Sequence, residues 1–135
     1  MAKPPQIAAE PCPCESGRPF AACCAPYLKG EKSAPTAEAL MRSRYCAYTR
    51  RDAAYLRRTW HPSTRPAALD LEQDAGLRWL GLKILGRTQG GTEDGEGTVE
   101  FVARYKVGGK AGRLCENSRF VREEGLWYYL DGEIR

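Results

Sequence analysis

Histidine is nearly absent from this chain, with His61 the one imidazole in 135 residues. That shortage excludes metal centres built on several histidines and leaves a histidine proton shuttle with a single candidate. No paired-carboxylate or nucleophile–base spacing accompanies His61, so the sequence reads as non-enzymatic. Long apolar runs are missing too: 42% of the residues are hydrophobic, enough for one core, but no stretch is long enough to cross a bilayer. The opening Met1-Ala2-Lys3-Pro4-Pro5-Gln6 is polar and proline-broken, without the apolar segment of a secretory signal, which predicts the reducing cytoplasm. Internal repeats and a recognisable RNA-binding signature are lacking as well. Acidic residues are scarce in one window, where seven arginines between Arg42 and Arg65 face Asp52 alone. Arg50, Arg51, Arg57 and Arg58 could there form a surface for an anionic partner such as ribosomal RNA; the alternative is the solvated face of two helices.

Cysteine, by contrast, is plentiful: Cys12, Cys14, Cys23, Cys24, Cys46 and Cys115. The first four lie within thirteen residues as Cys12-Pro13-Cys14 and Cys23-Cys24, and four thiolates complete a closed tetrahedral shell without histidine. The eight intervening residues bring the second pair back over the first, with Gly17 free of Cβ constraint in the turn. A disulfide framework is the rival reading. It conflicts with a reducing compartment, and bridging Cys12 to Cys14 or Cys23 to Cys24 would strain disulfide geometry, although pairing between the two clusters is sterically open. One zinc ion is expected in preference to an iron–sulfur cluster, because the spacing matches neither common ferredoxin pattern. Cys46 and Cys115 stand apart from this knuckle and read as small buried hydrophobes.

The remaining pattern predicts an α+β fold. Residues 1–10 read as a disordered tail, 11–30 as the knuckle and 31–135 as the larger domain. Thr36 is a candidate N-cap for a helix with Leu40, Met41, Tyr45 and Tyr48 on one face, and Asp52 opens a second that must end by His61, before Pro62. Strands follow over residues 77–87, 99–107, 113–122 and 126–130, separated by glycine-rich turns. The alternation of Val99, Phe101, Ala103, Tyr105 and Val107 marks one buried face. Short turns imply antiparallel neighbours, hence a curved antiparallel sheet packed on N-terminal helices. A knuckle this small cannot bury a core of its own, so metal removal should unfold it first.

The string Cys12-Pro13-Cys14-Glu15-Ser16-Gly17-Arg18-Pro19-Phe20-Ala21-Ala22-Cys23-Cys24 resembles the SEC-C motif, named after the zinc-binding tail of the translocase ATPase SecA. Family members usually carry glycine where this chain has Glu15. Leu40-Met41-Arg42-Ser43-Arg44-Tyr45-Cys46-Ala47-Tyr48, Thr59-Trp60-His61-Pro62-Ser63-Thr64-Arg65-Pro66 and Glu116-Asn117-Ser118-Arg119-Phe120 resemble the bacterial YchJ-type family. That resemblance implies a SEC-C knuckle joined to a cone-like domain similar to nuclear transport factor 2. It further implies a macromolecular partner, protein or ribosome, near protein export, translation or quality control. The SecA tail itself contacts the chaperone SecB and the ribosome or membrane surface.

A cone-like fold also suggests a hollow, and Arg44, Tyr45, Trp60, His61, Glu116 and Ser118 are the candidates to line a ligand-binding or catalytic pocket. In the plainer alternative, His61 ends a helix and bonds a backbone carbonyl while Glu116 pairs with an arginine across the sheet. A homodimer through an exposed sheet face is left open.

Overall fold

The structure, a computed structural model, describes residues 10–69, 71 and 76–135. The expected tail therefore lies outside the described residues except for Glu10, whose carbonyl accepts a hydrogen bond from the Phe20 amide at 2.9 Å.

Among the described residues, a 3-10 turn at Phe20–Ala22 is followed by three helices, α1 (Ala25–Leu28), α2 (Ala37–Arg50) and α3 (Ala53–Arg58). Both predicted caps form: Thr36 Oγ1 accepts from the Ala39 amide and the Asp52 carboxylate from the Tyr55 amide, each at 3.0 Å. Such side-chain oxygens satisfy amides that the first helical turn leaves unpaired. Four strands follow among the described residues, β1 (Leu77–Gln89), β2 (Glu96–Val107), β3 (Lys110–Glu123) and β4 (Leu126–Ile134). They form one antiparallel sheet in the order β1-β2-β3-β4.

Strand β4 runs four residues past its expected end. Its polar close, Asp131-Gly132-Glu133, looks like a turn, yet it pairs with β3 in the register Arg119↔Asp131 and Asn117↔Glu133. The Arg119 guanidinium holds both Asp131 oxygens at 2.6 Å, a cross-strand pair that composition alone does not reveal. Along β2, Val99, Phe101 and Ala103 are buried, but the alternation fades at Tyr105 and Val107 is exposed. Irregularities between Trp79 and Gly81, Ile84 and Gly86, and Arg119 and Phe120 break the ladders; such bulges bend a sheet locally.

Leu40, Met41 and Tyr45 of α2 pack on Val99, Phe101, Phe120 and Trp127, and the four clustered cysteines belong to this same core. A smaller cluster joins Ala47, Tyr55 and Leu56 to Tyr27 and Leu28 of α1. The segment leaving α3 covers part of the free edge of β4: the His61 amide donates to the Tyr129 carbonyl and the Tyr129 amide to the Thr59 carbonyl, both at 2.8 Å. Covered in this way, the edge is not a template for further pairing at Tyr129.

Candidate metal centre and adjoining cavity

The knuckle is built by two tight reversals. Glu15 N–H donates to the Cys12 carbonyl and Cys12 N–H to the Arg18 carbonyl, each at 3.0 Å, while Pro11 bridges to Pro19. Gly17 takes φ 87°, and Glu15 takes φ 59°, a left-handed conformation that explains the usual glycine there. The carboxylate of Glu15 makes contacts that glycine could not. Its Oε2 accepts from the Leu82 amide at 2.8 Å and from Arg104 Nη2 at 3.4 Å, tying the loop to β1 and β2. A Cβ at Gly81 would collide with both of these side chains.

The ligand atoms of Cys12, Cys14, Cys23 and Cys24 all lie within 4.8 Å of one another. Cys14 and Cys23 sulfurs are 3.7 Å apart, and those of Cys23 and Cys24 3.9 Å. A tetrahedral shell with zinc–sulfur bonds of ~2.3 Å has edges of about 3.8 Å, so the residues fit such an ion. The centre is nearly dry, with Cys14 fully buried and Cys23 the most exposed of the four at 9%.

Crowding splits the thiols. Hydrogen bonds from Cys12, Cys24 and Cys46 hold Cys14 far below the ordinary thiol range. Cys12, pushed up by its hydrogen bond with Cys14, is drawn down to about 6 by those from Cys24 and Cys46. Cys24 is driven up by its bonds with Cys12, Cys14 and Cys46, and Cys23 by burial. The Cys12–Cys14 arm is also the one set against α2. Arg42 faces the same arm, its Nη1 donating to the Cys14 carbonyl at 2.8 Å and reaching the Cys14 sulfur at 3.7 Å. Ser16 Oγ lies 3.2 Å from the Cys23 sulfur.

Cys46 requires a correction. It is fully buried, as a small hydrophobe would be, but it is not apart from the knuckle: its sulfur lies 3.5 Å from that of Cys12. Cys115 does stand elsewhere, on β3 opposite Val102. The sequence reading missed Arg42, Cys46 and Glu15 as partners of the cysteine loop. One signal was available, the four-residue spacing that sets Arg42 and Cys46 on one face of α2.

Between α2 and the sheet lies a mostly apolar cavity of about 200 Å³. Of the six candidate pocket residues, Arg44, Tyr45, Glu116 and Ser118 line it, with Trp79 and Tyr129 among the other walls. Trp60 sits behind Arg44, whose guanidinium stacks 5.1 Å from the Trp60 ring and 4.5 Å from the Tyr129 ring. His61 is placed away from the cavity: its Nε2 meets Glu123 at 2.8 Å and its Nδ1 meets Ser63 Oγ at 2.7 Å. The grouping of His61 with Glu116 is therefore corrected, because the chain turns outward after Trp60 to pair with β4. The alternative for Glu116 is corrected too, since its Oε2 accepts from Ser118 Oγ at 2.6 Å rather than pairing with an arginine. Burial lowers the basicity of Arg44, and its Nη1 donates to the Leu56 carbonyl at 2.8 Å and Thr59 Oγ1 at 2.7 Å, which closes the end of α3. The Trp60 indole N–H is buried without a partner among the described residues.

Of the candidate anionic-partner surface, Arg50, Arg51 and Arg58 are exposed and Arg57 is half-buried, and these side chains also make contacts within the molecule. Arg50 stacks on Phe20 and Arg58 on Tyr55, while Arg57 donates to the Pro66 carbonyl at 3.2 Å. Arg51 occupies the left-handed position that ends α2, with φ 54°.

Comparison with known proteins agrees with this architecture. Residues 36–132 match the family described as "YchJ, middle NTF2-like domain", and residues 9–26 match the SEC-C motif. A UPF0225 protein of Chromobacterium violaceum is 57% identical over 125 residues, covering 91% of this chain and 92% of its own. Another from Streptomyces coelicolor is 53% identical, covering 92% and 95%. Among solved structures, a SEC-C motif containing protein from Rhodopseudomonas palustris superposes with a TM-score of 0.80 at 37% identity, over 90% of this chain and 96% of that one. A second, from Psychrobacter arcticus, gives 0.74 at 27% identity, over 92% and 82%.

Proposed function

We propose, for a chain that belongs to the YchJ family, that it is a non-enzymatic zinc-binding interaction protein whose knuckle is a docking piece for a macromolecular partner. The observation that carries this reading is the set of four cysteine sulfurs within 4.8 Å of one another, nearly buried and fastened to α2 and β1. Four protein thiolates would leave the ion no open position for water or substrate, which suits a structural rather than a catalytic site. Cys12, Cys14, Cys23 and Cys24 would hold the ion, which supplies a rigid cross-link. Arg42 and Glu15 orient the loop against the domain. The setting suggested by the resemblance to SecA is protein export, the ribosome or quality control, in the cytoplasm.

Two measurements test this. The purified chain should carry about one zinc per molecule, and a value near zero for protein prepared without chelator would end the metal reading. A pull-down from native lysate should then recover a partner that is lost with chelator; recovery unaffected by chelator would remove the knuckle from the interaction.

A second reading, ligand binding in the cavity, is favoured by one observation: Arg44 lines an apolar hollow in which Glu116 and Ser118 are also present. A small amphiphilic ligand would fit that combination. Such a ligand must raise the melting temperature of the wild type and not of a Ser118→Leu variant. A metabolite screen without any stabilising compound would count against it.

A further inference from the structure

We propose that the metal centre is a five-sulfur site, in which Cys46 of α2 is a reserve ligand able to replace Cys23. The inference rests on the metal reading and concerns which of this chain's sulfurs serve it. Its first support is distance: Cys46 lies 3.5 Å from Cys12, no farther than the 3.7 and 3.9 Å that separate neighbouring knuckle sulfurs. A thiol so close to one ligand sulfur needs only a small side-chain displacement to become a ligand itself. Its second support is the identity of its neighbours. Cys12, which the Cys46 sulfur touches, is one of the three sulfurs, with Cys14 and Cys24, that stay in place if Cys23 leaves.

Exposure points the same way. Cys46 is fully buried within a fourteen-residue helix, whereas Cys23 is 9% exposed and follows a three-residue turn. Cys23 also has an alternative companion in Ser16 Oγ, at 3.2 Å. In the exchange one metal–sulfur bond forms at Cys46 as another breaks at Cys23. The proton on Cys46 passes, through solvent or directly, to the departing Cys23 thiolate, so charge is conserved and no electron moves. The consequence is a metal held throughout by four thiolates while one sulfur becomes available at the surface.

Cobalt(II) is the probe, because its sulfur charge-transfer and visible bands report how many thiolates surround it. The full chain and its C23S, C46S and C23S/C46S variants are titrated under reducing conditions. C23S should bind one cobalt with a four-thiolate spectrum like that of the wild type, and the double variant should show a three-thiolate spectrum and bind more weakly than C23S. Identical three-thiolate spectra for C23S and C23S/C46S would overturn the proposal. Failure of the wild type to bind cobalt or zinc would instead defeat the metal reading beneath it. Should either substitution prevent folding, alkylation of the metal-loaded wild type decides. Among the five clustered sulfurs, iodoacetamide should modify Cys23 first and leave the ion bound through four sulfurs; modification of Cys23 only in step with metal loss overturns the proposal.

Discussion

Glu15 shows how one residue can reverse the meaning of its position. Glycine suits φ 59° without strain, yet the carboxylate here grips the Leu82 amide and Arg104. Glu15→Gly should therefore relax the backbone and at the same time loosen the loop, so metal should leave faster for a competing chelator while secondary structure by circular dichroism stays unchanged. At the ligands themselves, replacing Cys12 and Cys23 together by serine should abolish stoichiometric zinc, read by elemental analysis, since two thiolates with Cys46 no longer close a shell. Arg44 is a different case: a 3% exposed guanidinium that bonds the Leu56 carbonyl and Thr59 and stacks on two rings. Arg44→Met keeps much of the volume but leaves that buried carbonyl only the long 3.4 Å contact from Thr59 Oγ1, a loss of about 1–3 kcal/mol. The urea midpoint should fall with the slope preserved. Tyr45 supplies a pH test. Burial, aided by the Glu15 charge, pushes its phenol up to about 12 from its ordinary value of 10.0. Above pH 10 the unfolded chain ionises first and binds fewer protons, so stability present below that pH is lost as pH rises toward 12. Tyr45→Phe should flatten this alkaline decline in melting temperature.

At the scale of elements, the helices were legible because their signals are local. Thr36 and Asp52 mark their starts, and Asp52→Ala should cost about 1 kcal/mol through loss of the bond to the Tyr55 amide, seen as a lower thermal midpoint. Strand existence was legible from alternation on β2, but strand length was not. Asp131, Gly132 and Glu133 extend β4 because Arg119 and Asn117 sit opposite them in β3, and a partner across a ladder leaves no trace in a segment's own composition. The cysteine loop was readable in the same local sense as the helices: its spacing alone placed four sulfurs together. Its anchors were not, since Arg42 and Cys46 on α2 and Leu82 on β1 reach the loop only after the chain has folded back. The hollow was half legible for the same reason. Arg44, Tyr45, Glu116 and Ser118 do meet there, while His61, adjacent in sequence to Trp60, was carried outward by its backbone bond to Tyr129.

Across the whole molecule, the knuckle and the larger domain share one core, in which Cys12, Cys14, Cys23 and Cys24 pack with Leu40, Tyr45 and Phe101. Beside the sequence-based expectation that the knuckle unfolds first on metal loss, this shared core supports another: chelation should lower the melting of the whole chain in a single transition, with the signal of the buried Trp127 changing alongside that of the knuckle. Two resolved transitions in calorimetry, the first removed by chelator, would restore the independent module. What the sequence by itself determined about this protein is what short stretches encode: a thiolate quartet in one loop, two capped helices, and strands with one apolar face. Tertiary structure alone decided what stands next to that quartet and what fills the space above the sheet. Contacts such as Cys12 with Cys46, or Glu15 with Leu82, join residues tens of positions apart. They arise only when burial of the α2 face closes the loop onto the sheet; the spacing along α2 sets Arg42 and Cys46 on one face, but it does not say what that face will meet.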